Sequence, residues 1–286
     1  MIRLACLILV FMSTADVPDG VELKPVPVPG IERVMRVDDS LLVGSAPDPN
    51  AYRALRELGV RVVLSVDGMP PDLEIIRSLG LRSVHLPIEY GGIEPDRIRS
   101  LVRLLGERPG LIYVHCHHGR HRAPAVAAIL WMLRTGAAPE SARRILEQAG
   151  TSPTYPGLWD AVRTHVAPVG TCADAPLPAR VEVAGVAASM VAIDRLRDRL
   201  DDWADRSAGA SGAEAVLLLE HLREMKRLDP GGHAEQAGWA VDLRASITAA
   251  EALAAATGTG GSPQPRQELL DRLDASCIGC HARHRD

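Results

Sequence analysis

Short apolar runs alternate with amphipathic stretches from about Ile31 to Val166, and few folds accommodate that rhythm. The runs are "LLVGSAP", "VRVVLSV", "LRSVHLPI" and "GLIYVHC". Between them lie "PNAYRALRELG", stopped by Gly59, and "PDLEIIRSLG", with Pro71 suited to a first helical turn. "EPDRIRSLVRLLG" carries Ile98, Leu101, Val102 and Leu105 on one stripe. "GLIYVHC" is apolar on both faces, as a strand inside a sheet must be. "PAVAAILWMLRTG" follows it closely as a helix, and two more helices are expected near Ser141–Gln148 and Gly157–His165. Repeated strand–helix alternation predicts an α/β unit with a mostly parallel central sheet.

The chemistry-bearing stretch sits between the most apolar strand and its helix. "YVHCHHGRHRAPA" places one cysteine, four histidines and two arginines at the carboxyl end of a strand, where α/β sheets bind ligands. The first amides of the helix lack internal acceptors and favour an anion. Five residues separate Cys116 from Arg122, with Gly119 among them. A loop of that length can curl its amides around a tetrahedral oxyanion. Gly119 tolerates backbone that other residues resist, and a planar guanidinium at Arg122 holds two oxygens. The same positive surroundings favour a thiolate at Cys116. Zinc on Cys116, His118 and His121 is opposed by Arg122 and by the short loop. A sulfurtransferase would not need this frame of residues.

The frame "HCHHGRHR" resembles HCxxGxxR, the phosphate loop of protein tyrosine phosphatases, most closely the compact dual-specificity kind. The resemblance covers about Ile31 to Val166. It implies Cys116 as nucleophile and Arg122 as phosphoryl clamp, with His115 tuning the thiolate. His117, His118, Gly119, Arg120 and His121 then form the cradle, mainly through backbone N–H groups, and the partner is a phosphorylated substrate. Two positions depart from the family. Ala123 stands where a serine or threonine usually helps the thiolate leave phosphocysteine. The general acid, usually an aspartate, falls in "LPIEYGGIEPD". Glu89 is the first candidate there, Asp96 the second, and Asp67 on the neighbouring strand the third. A rival reading is a catalytically weak anion-binding domain.

Composition shifts at "APVGTCADAPLPA", and strand patterns cease. The expected organisation is a phosphatase-like unit over 31–168, a linker over 169–180 and a helical unit over 181–286. "VEVAGVAASMVAIDRLRDRLDDWA", "GAEAVLLLEHLREMKRL", "HAEQAGWAVDLRASITAAEALAAA" and "RQELLDRLDASCIGCHARHRD" read as four helices, hence a four-helix bundle. "CIGCH" matches the c-type haem attachment signature CxxCH. Zinc on Cys277, Cys280, His281 and His284 would crowd four ligands into eight residues. On its final helix the motif resembles the cytochrome c prime and c-556 family, with Arg285 at the terminal arginine and His284 replacing an aromatic. That resemblance implies covalent haem c on Cys277 and Cys280, with His281 as an iron ligand. Met190 is either the sixth ligand or an ordinary core residue, and His221 and Met225 are weaker candidates. A redox partner protein and dimerisation through the bundle would suit such a module.

The chain begins "MIRLACLILVFMSTADVPDG". Arg3, the apolar run Leu4 to Met12, and Ser13 and Ala15 read as a signal peptide over 1–15, and hence an exported, periplasmic or extracytoplasmic protein. That run is too short for a membrane span, so none is expected in the mature chain. The net charge of −4 over 286 residues gives no support to nucleic-acid binding. Cys172 has no evident mate in sequence: it is either buried or able to oxidise with Cys116.

Overall fold

The structure is a computed structural model that describes residues 20–165, 167–168, 172–182, 185–205, 213–228, 238–256 and 264–284. The expected leader and Arg285 lie outside the described residues.

Four parallel strands form the heart of a six-stranded sheet. They are β3 (Leu41–Gly44), β4 (Val60–Ser65), β5 (Arg82–His85) and β6 (Leu111–His115). Two antiparallel strands, β1 (Lys24–Pro25) and β2 (Val34–Asp38), extend one edge, giving the order β1-β2-β3-β6-β4-β5. The apolar alternation is consumed on both faces of this sheet. Leu41, Val43, Val62, Leu64, Ile112 and Val114 join one core with α3 (Pro95–Gly106), α4 (Arg122–Thr135), α5 (Pro139–Ala149) and α6 (Pro156–Arg163). Leu42, Val63 and Tyr113 point the other way, onto Leu55 of α1 (Ala51–Glu57) and Ile76 of α2 (Leu73–Ser78). A strand covered on both sides has no polar face, which explains the run in β6. Helix α4 is the central pillar: every residue from Arg122 to Met132 is buried.

The segment expected as a linker is fastened to the sheet. The amide of His85 donates to the Pro178 carbonyl at 2.8 Å, and Ser83 Oγ donates to Ala179 O at 2.7 Å. Arg103 Nη1 donates to Ala175 O at 2.6 Å. Residues 175–181 thus cover the exposed side of edge strand β5, satisfying backbone groups that would otherwise invite another chain.

The C-terminal residues form four helices, α7 (Val186–Asp205), α8 (Ala213–Leu228), α9 (Trp239–Ala256) and α10 (Gln264–His284), each packed on the next. Ile193, Leu196, Leu200, Leu218, Leu222, Met225, Trp239, Leu243, Leu253, Leu270 and Leu273 fill the bundle. Each such side chain contributes about 1.5–3 kcal/mol on full burial. Small residues such as Ala250 let α9 lie close to its neighbours. The α/β class, the mostly parallel sheet and the following bundle agree with the sequence patterns. Among the described residues no helix is long and apolar enough to cross a membrane.

Candidate anion-binding site

The ends of the parallel strands converge on one point. His115 lies in register with Gly44 on one side and Ser65 on the other, and Ser65 with His85. The residues just beyond these ends, Ser45, Asp67 and Cys116, therefore share the carboxyl edge of the sheet, where ligands bind in such folds.

From Cys116 the chain loops to Arg122, the first residue of α4. The loop's carbonyls are engaged outside it. His115 O accepts from the Val66 amide and His117 O from the Ala46 amide, both at 2.9 Å. Arg120 O accepts from Thr151 Oγ1 at 2.6 Å. In a trans peptide the N–H points opposite its carbonyl, so outward carbonyls turn the following amides inward. Among the described residues no amide from His117 to Ala123 donates to a protein acceptor. Gly119 has φ +66°, and a Cβ there would lie 2.3 Å from Gly44 C, so only glycine lets the loop touch the end of β3.

Cys116 is a free thiol, 3% exposed at the base of the loop. Arg122 is 1% exposed. Its Nη2 donates to Asp67 Oδ1 at 3.1 Å and its Nη1 to Ile88 O at 3.3 Å, with the Tyr90 ring 4.5 Å from its carbon centre. Nη1 also lies 2.5 Å from Glu224 Oε1 of α8. Burial alone would depress this guanidinium; Tyr90, Glu224 and Asp67 more than offset that and hold it cationic. Among the described residues Arg122 Nε is buried without a partner, an orphan donor on the edge of the guanidinium that faces neither carboxylate.

Asp67 is the carboxylate most firmly held. Arg227 of α8 reaches it with Nη2 to Oδ2 at 2.5 Å and Nη1 to Oδ1 at 3.2 Å. Burial pushes the Asp67 carboxyl up, but Arg122 and Arg227 overcome that and keep it below the usual range. It is ionised, not a proton donor, in this state. Of the other acid candidates, Glu89 is exposed on the loop after β5, beside the Ile88 carbonyl that Arg122 engages, and Asp96 is exposed in the first turn of α3. Neither touches Arg122 or Cys116 through a hydrogen bond.

The histidines separate by position. His115 is wholly enclosed with both ring nitrogens unpartnered among the described residues, and burial, partly opposed by Asp67, pushes its pKa down to about 4. His121 packs 4.6 Å from the Tyr155 ring, and burial lowers it to about 4 against the pull of Glu220. His117 is half-buried with a lowered pKa, again chiefly through burial, while His118 and Arg120 face outward. His85, unremarked in the sequence, accepts the Val181 amide on Nδ1 at 3.0 Å, leaving Nε2–H to donate to Asp67 O at 3.0 Å. Glu220, Glu224 and Arg227 were also invisible from sequence. Charges spaced by four and three along a helix ordinarily mark its solvated face. The only signal was that Val216 and Glu220 fall on that same stripe.

The C-terminal motif requires a correction. Helix α10 runs unbroken through Cys277, Cys280, His281 and His284. Cys277 packs against the bundle core and Cys280 is 6% exposed; both are free thiols that burial pushes up. His284 Nε2 pairs with Asp242 Oδ2 at 2.8 Å, and Arg283 holds the same carboxylate. Met190 packs against the same core, and Met225 is fully buried in it. Among the described residues no three His, Cys, Asp or Glu side chains converge to hold a metal ion. Leucines and Trp239 fill the interior that a porphyrin would need, so these residues do not fit haem c. The expected haem attachment at Cys277 and Cys280, the iron ligands His281 and Met190, and with them the cytochrome, iron and metal-binding readings, are overturned.

No family model matches the chain, and no curated protein does. Solved structures are similar over its first half. TpbA of P. aeruginosa is 22% identical over 52% of this chain and 93% of its own, with a TM-score of 0.45. PTPMT1 is 18% identical over 46% of this chain and 91% of its own, with a TM-score of 0.39. Human DUSP28 is 25% identical over 49% and 93%, with a TM-score of 0.38.

Proposed function

We propose that the α/β unit, over residues 31–168, hydrolyses phosphate monoesters through Cys116. The observation that carries this reading is the cradle itself. A buried thiol lies at the foot of a loop whose amides have no acceptor among the described residues, beside a buried guanidinium whose Nε has no partner among them. Such donors stabilise the charge that spreads over a phosphoryl group in flight.

In the proposed reaction the Cys116 thiolate attacks phosphorus while the ester P–O bond breaks. The leaving oxygen takes a proton from the carboxylic acid of Glu89, with Asp96 as the alternative donor. Arg122 and the amides of His117, His118, Gly119, Arg120, His121 and Arg122 hold the equatorial oxygens. Water then attacks phosphorus, gives a proton to the carboxylate, and the S–P bond breaks to restore the thiolate. Phosphotyrosine, phosphoserine and phosphothreonine are the substrate groups this chemistry suits. The apolar run behind Arg3 supports export from the cytoplasm, with residues 169–180 connecting the unit to the bundle over 181–286.

The test is a burst assay with an aryl phosphate on the full chain. Wild type releases the aryl alcohol, and Cys116→Ser does not. No release by wild type, or undiminished release by the variant, rejects the reading. A second reading, an anion site with slow turnover, is favoured by Ala123, fully buried at the start of α4 and lacking a hydroxyl. It predicts one fast equivalent followed by a stall, relieved in Ala123→Ser.

A further inference from the structure

Helix α8 brings a carboxylate of this chain onto the proposed anion site. Arg122 Nη1 and Glu224 Oε1 stand 2.5 Å apart, a charge contact without hydrogen-bond alignment. Glu224 also presses on the strand end: a Cβ on Gly68 would lie 2.8 Å from its Oε2. One turn onward Arg227 clamps Asp67, and one turn back Glu220 Oε1 accepts from Tyr155 Oη at 3.0 Å. Val216, one further turn back, is buried in the core of the α/β unit, not that of the bundle. Residues 216, 220, 224 and 227 fall on one face of a helix. That face is seated across the carboxyl end of the sheet through successive turns, so the Glu224 contact is part of a docked surface.

A phosphate dianion entering the loop would share the Arg122 guanidinium with Asp67 and Glu224. Three acidic groups around one cation repel, and one must leave. The Asp67 side chain is 3% exposed and tied to a second arginine, whereas that of Glu224 is 21% exposed and rides on a separate helix. Glu224 is the group that can yield.

We propose that α8 is a built-in competitive inhibitor, in which the Glu224 carboxylate takes the place of substrate charge on Arg122 and phosphate binds only when that face of α8 is displaced. This rests on the reading of the loop as a phosphoryl site. The apparent affinity for phosphate is reduced by the fraction of molecules with the site uncovered.

The test titrates inorganic phosphate calorimetrically into the full chain and, in parallel, measures aryl phosphate hydrolysis. Glu224→Gln keeps the side-chain shape and removes the charge. It should tighten phosphate binding by about ten-fold and lower KM with little change in kcat. Arg227→Ala loosens the second anchor without touching Arg122, so it should shift binding in the same direction. It also serves if the first variant folds poorly. Phosphate affinity unchanged or weakened in both variants, or no phosphate binding by any form, overturns the proposal. Tighter phosphate binding without hydrolysis keeps the inhibitor and rejects the hydrolase. Hydrolysis with equal phosphate affinities does the reverse.

Discussion

His115 is a residue whose protonation the fold resists. Its ring is enclosed, unpartnered, and held neutral down to about pH 4. In the unfolded chain the same imidazole gains its proton near 6.5. The folded pKa is the lower one, so the stability it confers is complete above 6.5 and is lost as pH falls toward 4. Integrated over that window the loss is about 3 kcal/mol. Urea midpoints at pH 7 and pH 4.5 should therefore diverge more for wild type than for His115→Asn; equal divergence would show that this imidazole is solvated. Gly119 is the second critical position. Gly119→Ala puts a Cβ against the backbone of Gly44 at positive φ. It should cost about 1–3 kcal/mol in urea unfolding and abolish phosphate binding even where the fold survives. At this scale much was legible. The spacing of Cys116, Gly119 and Arg122 is local, and local spacing survives folding. The partners of Arg122 were not, because Asp67 and Glu224 are brought to it by the sheet and by another helix.

At the scale of elements, legibility followed periodicity. Helices α3 and α5 carry clean apolar stripes and form where expected. Strand β2 did not announce itself, because Arg36 and Asp38 interrupt its apolar positions and only Val34 and Val37 are buried. The strap over 175–181 reads as a linker because its binding is through backbone carbonyls and the Val181 amide, which leave no trace in side-chain pattern. The same holds for the seat of α6. A Cβ on Gly157 would fall 2.1 Å from Gly91 O, on the loop that carries Glu89 and Tyr90. Gly157→Ala must therefore push α6 and that loop apart. The expected cost is about 1–3 kcal/mol by chemical denaturation, from overpacking. Because Tyr90 lies over Arg122, aryl phosphate hydrolysis should fall as well. Full activity with a lowered melting temperature would separate the loop from the site.

For the whole molecule, the lesson of the two cysteine motifs is one of convergence. Both "HCHHGRHR" and "CIGCH" satisfy a spacing rule, but among the described residues only the first is accompanied by free loop amides and a buried guanidinium. At α10 the neighbours are leucines, Trp239 and an Asp242 already held by Arg283 and His284. The two units meet instead at a cluster of charge, with Asp67 and Arg122 of the α/β unit against Glu224 and Arg227 of the bundle, beside the apolar seat of Val216. Such pairs are costly to break from one side, about 3–5 kcal/mol when a buried partner is left alone. Arg227→Ala leaves Asp67 with Arg122, and the Arg227 side chain is 23% exposed, so the loss should be smaller, about 1–3 kcal/mol. The loss falls on the contact between units and not on either core. Calorimetric melting of wild type should show one transition, since each unit holds the other. Arg227→Ala should split it, with each unit unfolding around its own core. A single transition at an unchanged temperature in the variant would mean that the apolar seat of Val216 carries the coupling without the charges.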